Sequence, residues 1–166
     1  MTAFNSAPLQ NQKVMILGGS GAMGSAAAEQ LTALGASVIL VGRSQQRLHS
    51  IAERLGTKAS TEVADVSDEA QLDQLFQRVG SLDAIVVAVS ANTSASSIGE
   101  TSTKAAASAF SKFWTSYTVL HRAPRVLAKD GSITLLSGSS ARTPAHGYGV
   151  WTTVHGSIEA LARGAA

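Results

Sequence analysis

A glycine-rich turn between an apolar run and a helical segment constrains this chain more than any other feature. Lys13 to Leu17 (KVMIL) predicts a strand buried on both faces, and Ser25 to Leu34 predicts a helix that ends at Gly35. The turn between them contains Gly18, Gly19, Gly21 and Gly24. Glycine lets backbone amides approach phosphate oxygens, and a helix N-terminus attracts anions. The sequence therefore predicts a dinucleotide whose pyrophosphate lies on this turn, the alternative being a plain tight connection.

Short apolar runs continue to alternate with helical segments along the chain. Further strands are predicted at Ser37 to Val41, Thr61 to Ala64, Leu82 to Val89 and Gly131 to Leu136. Helices are predicted at Gln45 to Leu55, Ser67 to Val79, Lys104 to Leu127 and Val150 to Arg163. This alternation predicts one α/β domain over residues 1–166, a doubly wound parallel sheet with helices on both faces. Residues 1–12 are expected to form a flexible tail and Ser90 to Thr103 a loop.

The composition excludes several classes of function. The formal net charge is only +2 and no basic run is present, which argues against a nucleic-acid partner. The absence of cysteine excludes disulfides and thiolate chemistry, and the four histidines show no metal-ligand spacing, so we expect no metal. We expect no membrane partner, because no apolar stretch approaches the roughly 18 residues of a membrane span. With no signal-peptide pattern at its start, the chain is expected to be cytoplasmic.

The end of the second predicted strand bears on the choice of cofactor. That strand is followed by Gly42, Arg43 and Ser44, where an NAD site normally has an acidic residue for the ribose hydroxyls. Arg43 offers a planar fork of donors to a 2′-phosphate, which favours NADP(H), although it could also be a solvated surface charge. Asp65, at the tip of the third strand, could accept the adenine amino group or cap the next helix.

From Lys13 to its last residue, the chain resembles the short-chain dehydrogenase/reductase family. The family's Thr-Gly-x-x-x-Gly-x-Gly motif is matched by the residues from Leu17 to Gly24, with Leu in place of Thr and Ala in place of the middle Gly. The family's Asp-Val is matched by Asp65 and Val66, while its Asn-Asn-Ala-Gly is replaced by the residues Val87 to Ser90. The resemblance implies a Rossmann-like fold and a homodimer or homotetramer. It also implies that the C-terminal strands are missing, because the sequence stops in or just after the helix that follows the fifth strand.

The resemblance does not supply the family's usual catalytic residues. The positions of its Tyr and Lys fall on Trp151 and His155, that of its Ser on Gly138, and that of its Asn on or beside Lys112. The chain therefore resembles a divergent branch. Lys112 and His155 are candidate acid groups, the alternatives being a cofactor contact and a packed polar residue. Ser137 and Ser139 could bond a substrate oxygen or simply end a strand.

Two functions remain open at this stage. The first is an NADP(H)-dependent oxidoreductase that acts on a small carbonyl or alcohol with a non-standard acid group, and the second is a non-catalytic NADP-binding sensor or regulator. The candidate catalytic residues are Lys112, His155, Ser137 and Ser139. The candidate cofactor-binding residues are Gly18, Ser20, Gly21, Met23, Gly24, Arg43, Ser44, Asp65, Val66, Val89, Ser90 and Lys112.

Overall fold

The computed structural model describes residues 9–91 and 93–166. Residues 1–8 of the predicted tail and Asn92 of the predicted loop lie outside the described residues. The strands are β1 (Lys13–Leu17), β2 (Ser37–Gly42), β3 (Ala59–Val63), β4 (Leu82–Val87) and β5 (Leu127–Leu135). The helices are α1 (Ala22–Ala33), α2 (Gln45–Leu55), α3 (Glu69–Val79), α4 (Thr103–Ala109), α5 (Ser111–Arg122) and α6 (Gly149–Ala165).

The five strands form one parallel sheet in the order β3-β2-β1-β4-β5. This arrangement confirms the predicted doubly wound α/β fold. The chain leaves β1 toward β2 on one side and later returns to pair β4 on the other side. A crevice for a ligand is expected where the strand order reverses in this way, at the carboxyl ends of the strands.

Side chains of β1 alternate between the two faces of the sheet, and both faces are covered. Met15 and Leu17 pack in the cluster that includes Leu72 and Phe76 of α3 and Val119 of α5. Val14 and Ile16 face the opposite cluster, which includes Ala28 of α1 and Leu48 of α2. Because each of these four strand residues is at most 2% exposed, β1 reads in sequence as an unbroken apolar run.

The single helix predicted from Lys104 to Leu127 is wrong. The structure has α4 and α5, separated at Phe110, followed by a 3₁₀ turn at Ala123–Arg125. Pro124 lies in that turn and has no N–H with which to continue an α-helix. Phe110 itself keeps helical backbone angles (φ −66°, ψ −12°), its amide donates to the carbonyl oxygen of Ala106, and its carbonyl oxygen accepts from the amide of Trp114, so the break between α4 and α5 is slight.

The predicted boundaries of the last two strands also differ from the observed ones. β5 begins at Leu127, four residues before the predicted start at Gly131. Its first residue pairs with Leu82 of β4, but the next pair is Ala84 with Ser132, so β5 contains more residues than β4 between the two pairs. The extra residues of β5 form an irregularity in the ladder that hides its start in the sequence. β4 ends at Val87, so Ala88 and Val89 leave the ladder and line a cavity instead.

α6 lies against α4 through a small apolar cluster built on Ala109, Val154 and Ile158. This contact places the first turns of α6 beside the carboxyl end of β5. Across the part of the chain that the structure describes, none of the helices combines the length and the apolarity that crossing a bilayer requires.

Candidate functional site

The glycine turn is shaped by close approaches that only glycine permits. Gly18 has φ +86°, and a Cβ there would lie 2.7 Å from the carbonyl oxygen of Ala88. A Cβ on Gly24 would lie 2.9 Å from the carbonyl carbon of Gly18. The amides of Gly18 and Gly19 both donate to the carbonyl oxygen of Val41, each over 2.9 Å. The turn is therefore fixed against the end of β2.

The first turn of α1 provides backbone donors beside this turn. Its N-cap is Gly21, which has no side chain to accept a hydrogen bond from the helix. The first amides of a helix have no partner within the helix and carry partial positive charge. Since no side chain caps α1, these amides are free to bind an anion such as pyrophosphate, which is the donor set that a dinucleotide requires.

A cavity of about 490 Å³ opens in front of the turn, at the carboxyl ends of the strands. It brings together most of the predicted cofactor-binding residues: Gly18, Ser20, Gly21, Arg43, Asp65, Val66, Val89, Ser90 and Lys112. Residues that were not predicted also line it, namely Gly42, Arg47, Ala64, Ser67, Ala88, Ala91, Ser108, Ser111 and Thr115. A second cavity, of about 440 Å³, opens near Gly80 and Leu127 at the amino edge of the sheet, and no predicted site residue lines it.

Three of the predicted cofactor-binding residues do not line the main cavity. Met23 is 65% exposed on α1. Gly24 is buried against the turn, and Ser44 caps α2 by accepting a hydrogen bond from the Arg47 amide over 3.4 Å. These three residues therefore belong to the first turn of α1 and the N-cap of α2 rather than to the lining of the cavity.

Two arginines stand at the end of the cavity next to β2. Arg43 follows β2 directly, and Arg47 lies one helical turn further along in α2. Arg47 Nη2 donates to the carbonyl oxygen of Ser20 over 2.8 Å, which links α2 to the glycine turn. Within the described ranges, neither arginine forms a salt bridge. The sequence analysis did not predict Arg47 as a site residue, although its spacing of four residues from Arg43 could have indicated it.

The carboxylate of Asp65 lies in the same cavity. It accepts hydrogen bonds from the hydroxyl of Ser67 over 2.6 Å and from the Ser67 amide over 3.0 Å. The hydrogen bond from the Ser67 hydroxyl is the largest influence on the pKa of Asp65 and lowers it. The Ser67 amide and the positive charge of Arg43 lower this pKa further, while burial opposes the shift without cancelling it. α3 is instead capped by Asp68, which accepts from the amides of Ala70 and Gln71, so Asp65 is not the helix cap.

Lys112 projects from the first turn of α5 and lines the cavity. The residue is only 8% exposed, and burial lowers the pKa of its ammonium group. No carboxylate forms a salt bridge with Lys112 anywhere in residues 9–91 and 93–166. A buried lysine with a lowered pKa, at the wall of a cofactor-sized cavity, gives up its proton more readily than a solvated lysine does.

His155 lies in α6 next to the segment that follows β5. Its Nδ1 is 2.8 Å from the hydroxyl oxygen of Ser140, and its ring stacks at a tilt on Trp151, with centroids 5.4 Å apart. Burial lowers the pKa of His155 most, the positive charge of Lys112 lowers it further, and Glu159 opposes both. Of the four candidate catalytic residues, Lys112 lines the main cavity, whereas His155, Ser137 and Ser139 do not.

The two predicted serines occupy different surroundings. The Ser137 hydroxyl donates to the carbonyl oxygen of His155 over 3.2 Å and so ties the end of β5 to α6. Ser139 is exposed at the start of a 3₁₀ turn, Ser139–Ala141. The serine that contacts the imidazole is Ser140, which sequence reasoning missed because only the turn after Gly138 brings it back toward α6.

The fold and this cavity define the class of doubly wound α/β domains with a nucleotide-type crevice at the carboxyl edge of a parallel sheet. A family model described as enoyl-(acyl carrier protein) reductase matches residues 19–166. The chain belongs to the short-chain dehydrogenase/reductase family.

Curated relatives match over part of their lengths. An oxidoreductase of Sarocladium schorii is 31% identical over 162 residues, which make up 93% of this chain and 65% of that protein. An uncharacterized oxidoreductase of Staphylococcus epidermidis is 37% identical over 84 residues, or 48% of this chain and 36% of that protein. The chain thus spans about a third to two thirds of the length of these relatives.

Solved structures share the fold at low sequence identity. A short-chain dehydrogenase of Escherichia coli CFT073 complexed with NADPH superposes with a TM-score of 0.85 at 20% identity, covering 94% of this chain and 70% of that one. A short-chain dehydrogenase of Shigella flexneri gives the same TM-score of 0.85 and identity of 20%, over 94% of this chain and 66% of that one.

Proposed function

We propose that this chain forms the cofactor-binding part of an NADP(H)-dependent oxidoreductase that interconverts a small carbonyl compound and an alcohol. The observation that carries the cofactor assignment is the pair Arg43 and Arg47 beside the glycine turn, neither in a salt bridge within the described residues. A 2′-phosphate needs cations at this place and is repelled by the carboxylate that NAD sites have there. The E. coli structural relative complexed with NADPH supports the same choice.

Different residues of the cavity bind different parts of the cofactor. The turn at Gly18 and the first amides of α1 hold the pyrophosphate, and Arg43 with Arg47 holds the 2′-phosphate. Asp65 accepts the adenine amino group. Ala88 and Val89, which are small or apolar at the end of β4, leave room for the nicotinamide end. When bound, the cofactor supplies hydride to a carbonyl carbon or accepts hydride from an alcohol.

Lys112 serves as the proton source in the direction of reduction. As hydride adds to the carbonyl carbon, the electron pair of the C=O π bond moves to oxygen, and that oxygen takes a proton from the Lys112 ammonium. Solvent then returns a proton to the amine. Burial prepares Lys112 for this step, because a lowered pKa makes proton transfer at neutral pH easier. His155 stabilises the charge that develops on the substrate oxygen.

The second candidate is a non-catalytic protein that binds NADP and regulates a partner. This function is favoured by Trp151 and His155, which stand where the family resemblance places the catalytic Tyr and Lys. The indole of Trp151 has no proton to transfer. The two functions share the cofactor site and differ in turnover, so separate experiments test the cofactor and the reaction.

The cofactor is tested by measuring the affinity of the chain for NADPH and for NADH by calorimetry. We expect NADPH to bind more tightly, and R43A and R47A each to weaken it by about 10- to 100-fold, the loss of one or two charge-assisted hydrogen bonds. R54A is the matched control, since Arg54 is an exposed arginine of α2 that pairs with Glu29 and does not line the cavity. Equal affinities for the two cofactors, or an effect of R54A as large as that of R43A, would contradict the assignment.

The reaction is tested by following NADPH absorbance with a panel of aldehydes and ketones. We expect substrate-dependent loss of absorbance, and a large loss of kcat in K112M with little change in NADPH affinity. K104M is the control, because Lys104 is an exposed lysine of α4. Tight NADPH binding without turnover across the panel would favour the regulatory function instead. The homo-oligomeric state and the cytoplasmic location stay predictions.

A further inference from the structure

The imidazole of His155 is fixed by groups from two elements. A Cβ on Gly138 would lie 2.5 Å from Nδ1, so the ring fills the space that a larger residue would occupy. The hydroxyl oxygen of Ser140 lies 2.8 Å from the same nitrogen, and Trp151 covers part of the ring. The ring therefore has a defined position and a defined partner at one of its two nitrogens.

The burial of Ser140 favours one direction of this hydrogen bond. Ser140 is 7% exposed, and in the described part of the chain its hydroxyl has one side-chain partner, His155 Nδ1. A buried hydroxyl that donates to nothing is unfavourable, so its proton points to the available acceptor. Nδ1 accepts only when the ring is neutral and carries its proton on Nε2.

We propose that Ser140 is a positioning residue that holds His155 as the neutral tautomer protonated on Nε2. Only the use of this tautomer in catalysis rests on the proposed oxidoreductase, in which the ring would offer a hydrogen bond from Nε2–H to the substrate oxygen and keep its proton. Lys112 remains the group that transfers a proton. A neutral imidazole is suited to this task because it stabilises developing negative charge and stays in one protonation state.

The charged groups around the ring support the neutral form. Lys112 of α5 and Glu159 of α6 both act on His155, and Lys112 has the larger effect. The negative charge of Glu159 is partly satisfied elsewhere, because its Oε2 accepts from Arg142 Nε over 3.1 Å. Burial and the nearby lysine thus disfavour an imidazolium, in agreement with a hydrogen bond that also stabilises the neutral ring.

The tautomer is measured directly by long-range ¹H–¹⁵N correlation of the histidine rings in the full chain, without cofactor. The chain has four histidines, and the signal missing from H155Q identifies His155. We expect Nε2 to be protonated and Nδ1 to be unprotonated at neutral pH. A ring protonated on Nδ1, or a mixture of the two tautomers, overturns the proposal.

The role of Ser140 is tested by measuring the pKa of His155 in variants of the serines. S140A removes a donor to the neutral ring, so the pKa of His155 should rise by about 0.5 to 1. S140T keeps the hydroxyl and should keep the wild-type value. S139A, which removes an exposed neighbouring hydroxyl, is the matched control for the ring signals. A pKa that falls or does not change in S140A contradicts the proposal, because it means that Ser140 accepts from the ring or does not bond it.

These measurements are independent of catalysis. If the carbonyl panel shows no turnover but the tautomer and its dependence on Ser140 are as expected, the proposed oxidoreductase fails, whereas the control of the His155 tautomer by Ser140 stands. If turnover is found but the ring is protonated on Nδ1, only the positioning role fails. Should S140A not fold, the wild-type tautomer alone decides the proposal.

Discussion

The backbone of Gly138 lies against the imidazole of His155 so closely that a Cβ on Gly138 would come within 2.5 Å of Nδ1 and 3.0 Å of Nε2. The alignment predicted from the sequence places the family's usual serine at residue 138 and its usual lysine at residue 155. A serine at residue 138 would occupy the volume of the imidazole ring. The position of the His155 ring therefore requires a glycine at residue 138.

Restoring the family's serine alone should harm the protein. G138S is expected to push the imidazole away from Ser140 and to lower the free energy of unfolding by about 1 to 3 kcal/mol, as overpacking does. Urea denaturation measures this loss. H155A should relieve it, so that the double variant G138S/H155A is more stable than the sum of the single changes predicts. Strict additivity would show that the two residues do not compete for space.

Replacing Lys112 should separate stability from activity. K112M removes a buried charge without a salt-bridge partner in the described residues, and methionine has a similar shape, so the free energy of unfolding should rise by about 1 kcal/mol at neutral pH. Activity should fall at the same time. K104M, at an exposed site, should change stability by less than about 0.5 kcal/mol. A K112M protein less stable than wild type would indicate that Lys112 makes a stabilising interaction.

His155 should make the stability depend on pH on the acid side. The pKa of His155 in the folded chain is lowered from 6.5, so the unfolded chain binds more protons in the interval between the two values. Stability contributed by the neutral ring is therefore complete above pH 6.5 and is lost as the pH falls through that interval. Comparing urea midpoints of wild type and H155Q over this range measures the effect, and the slope should be smaller in H155Q. Parallel curves would mean that the ring titrates normally.

Gly24 should be intolerant of a methyl group. In G24A the new Cβ meets the backbone of Gly18, which is itself fixed to Val41, so neither side yields easily. We expect a loss of about 1 to 3 kcal/mol in unfolding free energy and weaker NADPH binding. G156A in α6 is the control, since nothing lies within 4 Å of its Cβ, and it should stabilise the helix by about 0.5 to 1 kcal/mol. Wild-type cofactor affinity in G24A would argue against a pyrophosphate on this turn.

The sequence predicted the elements around the cofactor cavity well because their signals are local. β1 and α2 have the predicted limits, since each combines a periodic pattern with a clear stop signal, Gly18 for the strand and Gly56 for the helix. The start of β5 was wrong because the irregular pairing with β4 depends on a partner strand that sequence periodicity does not see.

The contacts around His155 could not be predicted for the same reason. Ser140 and His155 are 15 residues apart, and they meet only because the 3₁₀ turn Ser139–Ala141 folds back onto α6. Arg47 was closer to prediction, since its spacing from Arg43 was visible, but its hydrogen bond to Ser20 depends on how α2 packs beside the turn. Alignment to the family located the segment after β5 but not the contact between Ser140 and His155.

The carbonyl oxygen of Val41 accepts from both Gly18 and Gly19, and the chain continues from Val41 through Gly42 directly into Arg43. The proposed places for the pyrophosphate and for the 2′-phosphate are thus linked through the backbone and joined a second time by the hydrogen bond between Arg47 and Ser20. In the proposed site, these links would set the spacing between the two negative groups before a ligand binds. A dinucleotide with that spacing would then need little reorganisation of the protein, whereas a mononucleotide would contact one of the two places only.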